Sequence, residues 1–359
     1  MRLLIVTQKV DKDDNLLGFF HQWLLEFAKQ CEEVIVVCLE ARKHELPSNV
    51  EVFSLGKEKQ ELGIRNYELG IVRRLSYVFN FYRHIWRERK NYDAVFVHMN
   101  REYVLLGGLF WRVWRKKIGL WFVHFETPLS LKIAERLSDV IFTASKESFQ
   151  LPSKKVSIVG HGIDTRRFYK EKPTELREPL QFLYVGKITP IKNIHILIKA
   201  AKILKHSWDK SFVITIIGPT TTREDEVYKQ SLLHTIAEEG INHHIRFLEP
   251  VPYQEIPSYY EKTHAVVNLC PTGGIDKMVV EGMSSKAFVF ASNETFRTLF
   301  GPYADHLLYP YQDAQVLAEK IRLLFLKNEQ ELITMREYLY EQAKRHSLEN
   351  LIPKILKHL

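Results

Sequence analysis

Two lysines five residues apart, Lys187 and Lys192, are the first groups in this sequence whose type and spacing suggest chemistry. In "YVGKITPIKN" (Tyr184–Asn193) an apolar run ends at Gly186, Lys187 follows, a Pro-containing turn intervenes, and Lys192 stands where a helical pattern begins. Lysine is a compact, mobile point charge that suits phosphate. Two of them about one turn apart beside a helix N-terminus make an anion site. The bland alternative is a pair of solvated surface lysines, and the rest of the chain has to decide between the two. No Ser-His-Asp arrangement or paired-carboxylate signature offers a nucleophile or an acid–base couple. Asp11-Lys12-Asp13 is formally a D-x-D metal spacing, but it follows the first apolar run in a polar stretch. It reads as a loop, and no metal is expected.

The scaffold that would position these residues alternates short apolar runs with longer helical patterns, the signature of parallel α/β architecture. Strands are expected at 3–7, 34–38, 50–53, 94–98, 120–124, 140–143 and 156–159, with helices such as 17–30 and 102–115 between them. The polar stretch 160–179 reads as a linker. Strands at 181–185, 212–217, 245–247, 265–269 and 287–291 then alternate with helices at 193–205, 224–239 and 277–285. Helices at 313–326 and 329–344, and a short one after Ser347, follow. At 359 residues, two hydrophobic cores are expected. In doubly wound sheets ligands bind beyond the carboxyl ends of the strands. Those ends hold Thr7, His98, Asn100, His124 and Glu126 in the first half. In the second half they hold Lys187, Pro219, Cys270, Thr272 and the "TGGID" turn.

Composition narrows the class. With 45% hydrophobic and 26% charged residues the chain is an ordinary globular one. Three cysteines are too few and too scattered for a disulfide framework or a zinc site. Cys38 and Cys270 end apolar runs and read as buried, reduced thiols of a cytosolic protein. No signal peptide precedes "MRLLIVTQKV", itself a strand, and no apolar run approaches the length of a membrane span. The net charge of +8 implies anionic partners. Much of it falls in "RRLSYVFNFYRHIWRERK" (73–90) and "FWRVWRKK" (110–117), where basic and large apolar residues alternate at helical spacing. Either these helices pack their aromatics on a sheet with the basic face solvated, or the surface rests on anionic lipid headgroups. No nucleic-acid motif accompanies the charge, so no nucleic-acid partner is expected.

Taken together, "VGHGIDTRRF", "FLYVGKITPIKN", "VPYQEIPSYYEKTHAVVNL" and "PTGGIDKMVVEGMSSKAFVFAS" resemble, in order and spacing, the retaining glycosyltransferases of the GT-B fold, family 4. The family patterns are N-G-[VI]-D-x3-F, G-[RK]-x4-K-G and E-x7-E-A-M-A-x-G. The resemblance implies an α/β, GT-B chain of two doubly wound, Rossmann-like domains facing each other across a cleft. Residues 1–165 would form the acceptor-side domain, with helix 346–359 packing back on it, and 166–345 the nucleotide-sugar-binding domain. It implies that Lys187 and Lys192 hold the donor diphosphate and that Glu281 accepts from the ribose hydroxyls. Gly18, Gly186 and Val251 join the expected donor set, and the Gly273 and Gly274 backbone N–H groups, with Asp276, are read as able to approach the sugar or phosphate there. His124 matches a histidine near the reacting sugar, and His98, Asn100, Glu102 and Glu126 become acceptor contacts. The chain departs from the pattern at Gly273, which stands where the first glutamate is usual. Asp276 either supplies that carboxylate or caps the following helix.

The implied reaction transfers a hexose from a nucleoside-diphosphate sugar to a hydroxyl of a glycan or lipid-linked saccharide, with retained configuration. It needs no metal and no cofactor beyond the co-substrate. The leaving phosphate takes the acceptor proton, so no side-chain nucleophile is required. A non-catalytic sugar-nucleotide binding protein and a nucleotide-sugar 2-epimerase of the same fold are the rival readings. The expected location is cytoplasmic, peripheral on the inner face of a membrane.

Overall fold

The structure, a computed structural model, describes residues 1–60, 67–124 and 126–359. The chain divides into two compact units, Met1–Gly162 with Leu348–Leu359, and Ile163–Ser347.

The first unit is built on strands β1 (Arg2–Val10), β2 (Glu33–Ala41), β3 (Val50–Ser54), β4 (Ala94–His98), β5 (Lys117–Trp121), β6 (Val140–Thr143) and β7 (Val156–Ile158). They form one parallel sheet in the order β3-β2-β1-β4-β5-β6-β7. Its helices are α1 (Phe19–Gln30), α2 (Tyr67–Arg87), α3 (Arg101–Val113) and α4 (Leu129–Leu137). Side chains alternate across a strand, so Leu3 and Ile5 enter one core while Leu4 and Val6 enter the other. The first core takes Phe20, Trp23, Leu24 and Phe27 of α1, and the second takes residues of α2, α3 and α4. Each such side chain taken from water stabilises the unit by about 1.5–3 kcal/mol.

Two of the boundaries that differ from expectation show what sets a strand end. The strand expected at 120–124 is β5, Lys117–Trp121. It starts at exposed Lys117, because a strand tip reaches solvent and tolerates charge. Strand β1 runs to Val10, three residues past Thr7, because it stays paired with β2 after parting from β4.

The second unit opens on the stretch expected as linker, where a short helix, α5 (Thr165–Phe168), is capped by the Asp164 side chain. Strands β8 (Leu180–Val185), β9 (Phe212–Ile217), β10 (Ile245–Leu248), β11 (Ala265–Asn268) and β12 (Phe288–Ala291) form a parallel sheet ordered β10-β9-β8-β11-β12. The connecting helices are α6 (Ile194–Ser207), α7 (Arg223–Glu238), α8 (Ile256–Glu261) and α9 (Lys277–Ser284). After β12 come α10 (Arg297–Phe300), α11 (Ala304–Leu307), α12 (Ala314–Leu324) and α13 (Glu329–Lys344). Thr222 and Asp225 form a reciprocal capping box at α7, and Asp313 and Asn328 cap α12 and α13.

The last helix, α14 (Leu348–His358), belongs to the first unit, where Leu348, Leu351, Ile352 and Ile355 join the core that α1 covers. Gly162 makes this packing possible. Its φ is +77°, and a Cβ there would lie 2.4 Å from Leu351 and 2.5 Å from Trp23. The Trp23 indole N–H donates to the Gly162 carbonyl at 2.8 Å.

Candidate active site

In the second sheet the strand order reverses between β8 and β11, since β9 and β10 extend one way and β12 the other. A crevice at the carboxyl ends of strands is where such a reversal places a ligand. The residues around it are held closely. The Gly186 N–H donates to Ile217 O (3.0 Å), the Ile188 N–H to Pro219 O (3.0 Å), and the Tyr184 hydroxyl to Lys187 O (3.0 Å). A Cβ on Gly218 would fall 1.8 Å from Gly186 O, so only glycine lets the two strand ends approach this closely. Ile188 is fully buried and anchors the turn, while Lys187 is exposed.

A one-turn 3-10 helix, Pro190–Lys192, then leads to Asn193 in the left-handed region (φ 50°, ψ 33°). Asparagine tolerates that conformation, and its buried side-chain amide donates to Leu269 O (3.3 Å) and to the Tyr311 hydroxyl (2.9 Å). This fixes the position of Lys192. Its Nζ lies 2.8 Å from Asp276 Oδ2 and 3.1 Å from Cys270 Sγ. The same Oδ2 accepts from the Asn268 amide and the Cys270 thiol, both at 3.2 Å. The side chains of Lys192 and Asp276 are 28% and 24% exposed, so the pair is partly desolvated. Burial opposes the charge on Asp276, yet the Lys192 ammonium outweighs it and lowers the carboxyl to about 2. Burial likewise opposes the charge on Lys192, and Asp276 holds its pKa above the ordinary lysine range. Burial, with Asp276 adding to it, pushes the Cys270 thiol up to about 12.

Asp276 stands at the N-cap position of α9 but makes no side-chain capping bond. Its side chain instead contacts Lys192, Asn268 and Cys270. The glycine turn before it is pinned by residues that sequence reasoning missed. The Gly273 N–H donates to Asn293 Oδ1 (3.3 Å), the Asn293 amide to Gly274 O (3.0 Å), and the Thr295 hydroxyl to Gly273 O (2.6 Å). A Cβ on Gly273 would meet nothing closer than Pro271 O at 3.9 Å, so a side chain fits there. Val251 is half-buried in the loop between β10 and α8.

Glu281, on α9, is enclosed by aromatic hydroxyls. It is 3% exposed, and its two oxygens accept from the Tyr253 (3.3 Å) and Tyr260 (2.8 Å) hydroxyls. Burial pushes its carboxyl up. Each oxygen thus has a tyrosine donor, and the remaining acceptor positions of the carboxylate are those a ribose hydroxyl would use. The signal in the sequence was the pair of tyrosines in "VPYQEIPSYYEK", seven residues apart, one before α8 and one within it.

In the first unit the strand order reverses between β1 and β4. There Thr7 Oγ1 lies 3.2 Å from His98 Nδ1, and the His98 ring stacks on Phe20 at 4.0 Å between centroids. At 3% exposed, His98 is a core residue under an aromatic cover, which corrects its expected acceptor contact. Gly18 is corrected too, because its N–H donates to Asp14 O at 3.0 Å. Asp14 organises that turn by accepting from the Leu16 and Leu17 N–H groups and pairing with Lys9 at 2.7 Å. Asn100 is half-buried and donates to Gln8 Oε1 at 2.6 Å. His124 and Glu126 are exposed just beyond β5, with the Glu126 N–H donating to His124 Nδ1 at 3.2 Å. Glu102 is exposed beside Arg101, at 3.5 Å. Of the D-x-D residues, Asp11 lies 3.5 Å from Lys9 and Asp13 lies 3.4 Å from Lys43.

The family described as Glycosyl transferases group 1 matches residues 165–346. Over 175 residues the chain is 25% identical to the O-antigen chain mannosyltransferase RfbU of Salmonella typhimurium, covering 48% of this chain and 46% of that one. It is 25% identical over 226 residues to the D-inositol 3-phosphate glycosyltransferase of Corynebacterium urealyticum, covering 59% and 52%. The chain thus spans about half the length of these curated relatives. The crystal structure of Anabaena Alr3699/HepE in complex with UDP superposes with a TM-score of 0.75 at 16% identity, over 99% of both chains. At that identity the likeness is one of fold, two Rossmann-like domains of GT-B type.

Proposed function

The chain belongs to the glycosyl transferases group 1, and from that premise we propose that it is a retaining glycosyltransferase. The donor is a nucleoside-diphosphate hexose and the acceptor a saccharide hydroxyl, free or lipid-linked. The observation that carries the reading is the Lys192–Asp276 pair at the strand-order reversal of the second unit. A cation held in place before the reaction stabilises charge that develops only as the bond breaks. Asp276 keeps Lys192 charged and aimed, Asn193 fixes its backbone, and exposed Lys187 supplies a second cation on a tethered loop. In the reaction the acceptor oxygen bonds to the anomeric carbon, the bond from that carbon to the phosphate oxygen breaks, and the acceptor proton passes to the leaving phosphate. The chain's residues position and neutralise; none forms a covalent bond. His124, Asn100 and Glu126, at the carboxyl edge of the first sheet, are the proposed acceptor contacts. Localisation in the cytoplasm, at the inner face of a membrane, belongs to the same proposal.

Gly273, in place of a glutamate, gives the second reading, a protein that binds a sugar nucleotide without turnover. Turnover of UDP- and GDP-sugars with saccharide acceptors separates the two. Charge-assisted contacts are worth about 1.5–3 kcal/mol each, so Lys192→Ala is expected to cut turnover roughly ten- to a hundredfold. Wild-type kinetics in both Lys187→Ala and Lys192→Ala would refute the donor site.

A further inference from the structure

The two basic, aromatic stretches are neither wholly packed nor wholly solvated. On α2, Phe81 and Ile85 are buried against the sheet, which is the packed half of the expectation. Val72, Leu75, Phe79 and Trp86 instead lie 53–68% exposed. Their spacing, continued by Arg83, keeps them on one side of the helix. On α3, Leu109 is 65% and Val113 78% exposed. Between these two helices runs an apolar groove of about 610 Å³, lined by Phe79, Tyr82, Ile85, Trp86, Phe110 and Trp114, with Arg83 and Arg87 at its edge. Water-facing apolar surface on this scale marks an interaction site.

We propose that this α2–α3 face docks on an anionic lipid bilayer, the groove and the aliphatic stripe entering the headgroup region while the arginines meet lipid phosphates. Charge selects the occupant. Residues 73–90 and 110–117 carry ten Arg and Lys against one acid, Glu88. Glu88 is buried and already bonded to Arg87 (2.6 Å) and Asn91 (2.7 Å). A second copy of the chain would set these cations against their like. Nucleic acid would stack on the aromatic rings but has no use for Val72, Leu75, Leu109 and Val113. A bilayer uses both kinds of residue, with Trp at the interface and aliphatic groups below it. The surface is independent of the donor site, so its failure would leave the transfer reaction standing.

The test is cosedimentation of the full chain with phosphatidylcholine vesicles, with and without phosphatidylglycerol, at low and high salt. Binding to phosphatidylglycerol vesicles is expected to be about tenfold or more stronger than to neutral ones at low salt and to weaken at high salt. The exposed substitutions Leu75→Ser with Phe79→Ser should lower it about tenfold at an unchanged thermal midpoint. Arg74→Gln with Arg83→Gln should remove the anionic preference. No binding to phosphatidylglycerol vesicles at low salt, or binding that both double variants retain in full, would overturn the proposal. A concentration-dependent dimer abolished by Leu75→Ser with Phe79→Ser would assign the face to a second copy and overturn it equally.

Discussion

Lys192 and Asp276 define each other's charge, and this makes the site's electrostatics measurable through stability. The folded carboxyl lies at about 2 against an ordinary 3.8. A lowered carboxyl contributes stability that is present above about pH 3.8 and is lost as the pH falls through about 2. At 1.36 kcal/mol per pH unit the contribution is about 2 kcal/mol. Asp276→Asn should therefore cost the second unit about 2 kcal/mol at neutral pH and little near pH 2. Denaturant unfolding at several pH values reads this, and a pH-independent cost would refute the ion pair as its source. At this scale the sequence was legible where one residue type has few uses. Lys192 was expected at a turn between a strand and a helix, where it is found, and Asp276 was narrowed to two roles. The enclosure of Glu281 was not legible, because it depends on Tyr253 from the loop before α8 and Tyr260 from α8 itself. His98 failed for the same reason, as the stacking ring of Phe20 comes from α1.

Elements follow from period and composition, and their ends follow from neighbours. The buried strands were placed to within a few residues, since β-branched runs between helical patterns have few other uses. The end of β1 depended on β2 continuing beside it after β4 had parted, which no local pattern records. For α2 the amphipathic period was clear, but which apolar residues face the sheet and which face water is set by the partners available. Element packing also gives a sharp test at Gly162. A Cβ there collides with Leu351 and Trp23, at a backbone conformation that side chains rarely adopt. Gly162→Ala should destabilise the first unit by about 3 kcal/mol, combining overpacking with backbone strain. Thermal unfolding checks this, and a midpoint equal to wild type would mean that α1 and α14 have room to part.

For the whole molecule, the two α/β units were readable from the restart of the strand–helix pattern after residue 179. Chelation tests the proposed reaction at this scale. If lysines neutralise the leaving diphosphate, turnover should persist in EDTA. Loss on chelation with rescue by Mn²⁺ would turn attention to Asp11 and Asp13, which are paired with Lys9 and Lys43. The position of α14 carries a further consequence. The core of the first unit takes Leu348, Leu351, Ile352 and Ile355 from the far side of the entire second unit. A ribosome delivers the chain from its N-terminus, and domains ordinarily complete themselves in that order. Here the order is reversed. All of the second unit has been synthesised before the helix that closes the first one exists, so the nascent first unit waits with the α1 side of its core unfilled, a state in which a chaperone or a protease can find it.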